Sequence, residues 1–248
     1  MFIVGIDLGN EYSQVCYYNV AKGEPESVAF QMPAANLRVP TVVLKEYGKD
    51  NGWMAGEVAL SCNTLGEGVL FDGLLEAAKS GAKVEKKNVS VMPSQLIRVY
   101  LTFLLQSAKR AFGSDEEPDV ICITTDDYCE EILDVIDEAV GLIGISKDKV
   151  IYSGHVESFV YYALSSKPEL WKNDNVVFDY GRDGLVYCRM ATMSDMGRRI
   201  VMSEKIDLKE VVGYTIDMDE LEEKLLSVSV DVDEEKILSY LKKREITN

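Results

Sequence analysis

The sequence predicts an α/β fold in two lobes, and three observations carry that prediction. Short apolar runs that read as buried strands alternate with long helical patterns of 3.6-residue period. A hydrophilic stretch, residues 166–174, then separates the first series of elements from a new start. That new start repeats the logic of the N-terminus: an apolar run, an Asp, a Gly, a turn and a second strand, once around Asp7 and again around Asp179. A chain of 248 residues with 47% hydrophobic side chains has enough apolar surface for such a core.

In the first lobe, residues 2–7 form a strand punctuated by Gly9 and Asn10, and residues 13–19 resume the strand pattern, which predicts a hairpin with a tight polar turn. A third strand is expected over 27–31 and a fourth over Thr41 to Leu44. Residues 45–91 are glycine-bearing and less regular, so an insertion with short helices is expected there. From Pro93 to Phe112, apolar residues at 97, 100, 101, 104, 105, 108 and 112 define one helix face. Pro93 suits its first turn and Gly113 its stop. A strand over 119–124 precedes a second helix, which starts near Asp127 with Glu130 and Glu131 in its first turn and ends at Gly144. A strand over 150–152 and a helix over 156–165 complete the lobe.

In the second lobe, strands are expected over 175–181, 185–191 and 199–203, followed by an acidic, lysine-bearing helix within 219–243. The lobes are therefore placed at 1–168, with the insertion at about 45–91, and at 172–248.

Composition excludes several classes of function. With 42 acidic and 26 basic side chains, a net charge of −16 opposes generic binding to nucleic acid or anionic membrane. The five cysteines (Cys16, Cys62, Cys122, Cys129, Cys188) are scattered and form no CxxC pair, which fits a reduced, cytoplasmic protein. No basic, apolar leader opens the chain and no run is long enough to span a bilayer. His155 is the single histidine; no His/Cys cluster has metal-ligand spacing and no Ser-His-Asp arrangement is visible. A lone His at a helix start is read as a cap or a packed side chain.

The two Asp-x-Gly turns are the candidate site. A carboxylate at the end of a buried strand can hold a hydrated cation beside a turn whose backbone N–H groups accept phosphate. Two such turns, one per lobe, would clamp a triphosphate through Mg²⁺, and phosphoryl transfer asks for little beyond positioning and charge neutralisation. The plainer reading makes both Asp residues turn-forming strand ends.

Five motifs, in order, carry a resemblance. Gly5-Ile6-Asp7-Leu8-Gly9-Asn10-Glu11-Tyr12-Ser13 resembles the first phosphate loop, GIDLGTTxS, of DnaK-type heat-shock chaperones in the actin-like ATPase superfamily. Arg38 to Val43 is similar to the TPSVV segment, Val120 to Thr124 to the VITVPA strand, and Ile151 to Leu164 to the NEPTAAALAYGL helix. Val177 to Gly184 resembles the second phosphate loop, VFDLGGGT. The resemblance implies a two-lobed, ribonuclease-H-like architecture of mixed sheets flanked by helices, with ATP and Mg²⁺ in the cleft. It assigns Asp7 and Asp179 to the catalytic metal, and Gly9, Asn10, Glu11, Gly181 and Arg182 to the nucleotide. It also implies a further strand and a Gly-rich adenosine loop that nothing here matches, so the second lobe is expected to be incomplete.

The pattern departs from that family where chemistry is done. The paired threonines of the first loop fall on Asn10 and Glu11, and an inward Glu11 carboxylate would repel a triphosphate. The catalytic glutamate falls on Gly154 and its neighbouring proline on His155, with Glu157 one turn further along. The proline of VITVPA falls near Asp126 and the family's lysine near Leu74, with Lys79 close. The second loop has become Gly181-Arg182-Asp183-Gly184, so that Arg182 would either contact a phosphate or pair with Glu11. The expected function is thus Mg–ATP binding with weak or no hydrolysis. The alternative is a non-catalytic scaffold for protein partners. A nuclease of the same sheet type would need a third carboxylate on a helix and a basic groove, which the charge opposes.

Overall fold

A computed structural model describes residues 1–30, 36–125, 129–167, 175–181, 184–193 and 197–206; the strands after residue 174 are described by their backbone. The chain divides into two compact units, Met1–Ser158 and Phe159–Asn248. Both are built from sheets, and in the first the sheets are flanked by helices, so the mixed α/β class holds.

The first unit is organised by a six-stranded mixed sheet. Strand β1 (Ile3–Leu8) turns back through a tight hairpin into antiparallel β2 (Tyr12–Asn19), which pairs with β3 (Glu24–Ser27) and briefly with β4 (Val39–Pro40). On its other side β1 pairs in parallel with β10 (Val120–Thr125), and β10 in parallel with β11 (Val150–Gly154). The order is β11-β10-β1-β2-β3. Side chains alternate across a strand, and β1 uses this cleanly: Val4, Ile6 and Leu8 are buried while Ile3, Gly5 and Asp7 are half-buried.

The buried face receives helices α3 (Pro93–Phe112) and α4 (Glu130–Ile143). In α3, Leu96, Ile97, Tyr100, Leu101, Leu104, Leu105 and Ala108 recur at helical spacing and join Val4, Ile6, Leu8, Ile121 and Ile123 in one core. Pro93 opens the helix, and Gly113, at φ 77°, supplies the left-handed residue that closes it. In α4, Ile132, Ile136, Ala139 and Val140 form the buried stripe, and Glu130 and Glu131 lie in the first turn. Cys129 precedes this helix, and residues 126–128, where its start was expected, lie outside the described residues. Helix α5 (His155–Ser166) follows β11 without a break.

One expectation is corrected and one is extended. The third strand runs over Glu24–Ser27 rather than 27–31, because it is a short edge strand of Glu, Pro, Glu and Ser, and apolar patterning cannot find such a strand. Residues 45–91 carry the short helices expected there, together with strands that were not expected: β5 (Val43–Glu46) lies between β6 (Trp53–Ala55) and β7 (Gly68–Phe71) in a small sheet. Helix α1 (Gly56–Thr64) packs on it through Ala59 against Val42 and Leu44. Helix α2 (Leu74–Ser80) and a hairpin of β8 (Val84–Lys86) and β9 (Val89–Val91) follow. Lys87 and Asn88, both at positive φ, make that hairpin's two-residue turn without a glycine.

In the second unit, β12 (Asn175–Gly181), β13 (Gly184–Met193) and β14 (Gly197–Ile206) form an antiparallel meander with a bulge between Arg189 and Met190. The helix expected within 219–243 lies outside the described residues. Among the described residues no helix is long and apolar enough to cross a membrane.

Candidate functional site

Parallel pairing brings three strand ends to one edge. The register places Asp7 beside Thr124, and Thr124 beside Ser153, at the carboxyl ends of β1, β10 and β11. Ligands of open α/β sheets gather at such edges, because the loops that leave them diverge and open a crevice. Thr124 Oγ1 donates to Asp7 Oδ1 at 3.1 Å, which fixes the carboxylate's rotamer. His155 Nε2, at the first residue of α5, stands 3.6 Å from Asp7 Oδ2. Both side chains are about a third exposed, 36% for His155 and 35% for Asp7. Ser153 Oγ donates to Glu157 Oε2 at 3.3 Å, so the carboxylate one turn into α5 is engaged with the end of β11.

The turn beyond Asp7 is held from below. A Cβ on Gly9 would lie 2.5 Å from the carbonyl oxygen of Tyr12, a backbone atom that cannot step aside, so the tight return of the chain requires glycine here. The Glu11 carbonyl accepts the Thr41 N–H at 2.8 Å. Thr41 and Ser13, both fully buried, share a hydroxyl hydrogen bond of 2.8 Å. Tyr100 of α3 donates its hydroxyl to the Val39 carbonyl at 3.3 Å and approaches Thr41 Oγ1 at 3.5 Å. A buried polar relay therefore ties the central helix to the loop after Asp7. Such a relay stiffens a loop only while every member is satisfied.

Burial pushes the Tyr100 phenol up to about 12, with the Ser13 and Thr41 hydroxyls pulling weakly the other way. The folded state therefore favours the neutral phenol. This contribution to stability is fully present below about pH 10, the ordinary tyrosine range, and is lost as pH rises toward about 12. In a phenolate absorbance titration, one of the thirteen tyrosines should ionise last, together with alkaline unfolding. Tyr100→Phe should remove that late step and cost about 1 kcal/mol in denaturant unfolding, through the carbonyl left without its donor.

The site residues expected from sequence are distributed as follows. Asp7 lies at the end of β1, Gly9 and Asn10 lie in the turn that follows, and Glu11 is exposed. Asp179 and Gly181 occur at the end of β12, where Asp179 pairs with Val186 and Gly181 with Gly184. Arg182, and with it the expected pairing to Glu11, lies outside the described residues. Leu74 is buried in the core, so the position aligned with the family's lysine is a packing residue. Thr124 and His155 are the residues that sequence reasoning left without a role at this site.

The group fits a cation sparingly. Among the described residues no three His, Cys, Asp or Glu side chains gather into a metal-holding set. A cation at Asp7 would therefore keep water or phosphate oxygens as most of its ligands, which is the habit of Mg²⁺.

Fold and site together define a mixed α/β protein with a carboxylate–hydroxyl–imidazole group at the carboxyl ends of a parallel strand trio. The chain belongs to the family described as "Family of unknown function (DUF5716) C-terminal", whose model matches residues 24–241. Asp7 and the turn after it precede the matched segment. No curated protein matches the chain.

Proposed function

We propose that this is an actin/DnaK-like nucleotide-binding protein that takes Mg–ATP at the Asp7 turn and hydrolyses it weakly or not at all. The observation that carries this reading is the position of Asp7: a half-exposed carboxylate at the end of β1, oriented by Thr124, beside a turn that admits only glycine at position 9. The strand order, with three parallel strands continued by an antiparallel hairpin and helices on the buried face, supports the finer, ribonuclease-H-like reading of the fold. In this reading Asp7 orders the water shell of the cation, and the backbone N–H groups of residues 9–11 receive phosphate oxygens. Mg²⁺, when bound, supplies neutralisation of the phosphate charge. Weak hydrolysis follows from the residues available. Gly154 has no side chain to orient an attacking water, and the Glu157 carboxylate already accepts the Ser153 hydroxyl.

The second reading, a non-catalytic scaffold, is favoured by the His155–Asp7 pair, since an imidazolium gives Asp7 a cationic partner without any metal. Calorimetry of the full chain with ATP, in Mg²⁺ and then in chelator, separates the two. The ATPase-fold reading predicts binding heat that requires Mg²⁺. Absence of heat at high micromolar nucleotide supports the scaffold.

A further inference from the structure

A groove of about 470 Å³ lies elsewhere on the first unit, between α3 and the strand β6 with the start of α1. One wall is a single face of α3, with Arg98, Thr102 and Phe103 at helical spacing. The other wall is Trp53, Met54 and Val58. It shares no residue with the Asp7 group.

The geometry points to a binding site for a small carboxylate with an aromatic or branched apolar body, its anion on Arg98. Charge complementarity carries this. Lys22, Lys49, Lys86, Lys109 and Lys147 each pair with a carboxylate. Arg98 is half-buried and has no acidic partner among the described residues, in a chain with an excess of 16 negative charges. A guanidinium is always charged and its planar fork matches a carboxylate, so an unpaired, partly desolvated Arg favours an anion arriving from solution. The apolar body has a matching surface. Phe103 packs against Tyr100 at 6.2 Å between centroids, and Trp53 is held by Phe71 on one side and by the Lys45 ammonium, 5.4 Å from the ring. Both aromatic walls are thus fixed before a ligand arrives. The volume is that of a small-molecule site, and Asn51, Thr102 and Gln106 in the lining offer hydrogen-bonding groups beside Arg98.

The test is ¹H–¹⁵N NMR of the full chain titrated with 4-phenylbutyrate and, separately, with its uncharged amide. The expected result is a set of shifts at the Trp53 indole and at residues 98–106, with a dissociation constant of about 1 mM for so small a probe. The amide should bind about tenfold more weakly, and Arg98→Gln should lose the difference between the two probes. Equal binding of acid and amide to the wild-type chain, or shifts absent from Trp53, would overturn the assignment without reliance on any variant. A blocked acidic–aromatic tripeptide that binds far more tightly than phenylbutyrate would overturn the small-molecule class in favour of a peptide groove.

Discussion

Asp7→Asn is expected to abolish the Mg²⁺-dependent part of ATP binding, weakening it by about 100-fold. The amide is isosteric, and its oxygen can still accept the Thr124 hydroxyl, so the end of β1 keeps its shape. What disappears is the negative charge that orders the cation's water shell. Stability should hardly change. The His155 contact at 3.6 Å joins two side chains about a third exposed, and such pairs contribute about 0–1 kcal/mol. Calorimetry and denaturant unfolding on the same variant check both halves. A variant that binds Mg–ATP like the wild type would remove Asp7 from the site, and one that unfolds would make it a structural strand end.

Removing His155 should act in the opposite direction. In the chain as it folds, the imidazole at the start of α5 stands where it competes with a cation for Asp7 Oδ2. His155→Ala should therefore strengthen Mg–ATP binding by up to about fivefold, the scale of an exposed pair contributing about 0–1 kcal/mol. Affinity that falls on removal of His155 would instead make it a ligand-binding group.

Much of this architecture was legible before any coordinates. Helix α3 announced itself through Pro93, Gly113 and seven apolar positions, six of which prove buried or lie in the core. Gly144 ends α4 as its position predicted. The hairpin of β1 and β2 and the three strands of the second unit followed from apolar runs bounded by Asp and Gly. The strand expected over Thr41 to Leu44 overlaps β5 at Val43 and Leu44, but its partners β6 and β7 were not legible, because strands of three or four residues owe their structure to neighbours rather than to local pattern. The Lys87-Asn88 turn carries none of the glycine by which such hairpins are usually found.

The site divided along the same line. Asp7 and Gly9 stand in a local motif, and local motifs can be read. Thr124 reaches Asp7 from 117 residues away, through the parallel register of β1 and β10, and no spacing rule foretells that register. His155 was placed at the right helix by the resemblance to the chaperone motif, but its approach to Asp7 depends on how β11 delivers α5 to the end of β1.

If Asp7 receives a divalent cation together with nucleotide, as proposed, paramagnetic broadening in the ¹H–¹⁵N spectrum of the full chain with ATP and Mn²⁺ in place of Mg²⁺ will show it. Selective loss of the amide signals of residues 7–11, Thr124 and His155, restored by excess Mg²⁺, is expected. Broadening absent from those residues, or unchanged in Asp7→Asn, would contradict it.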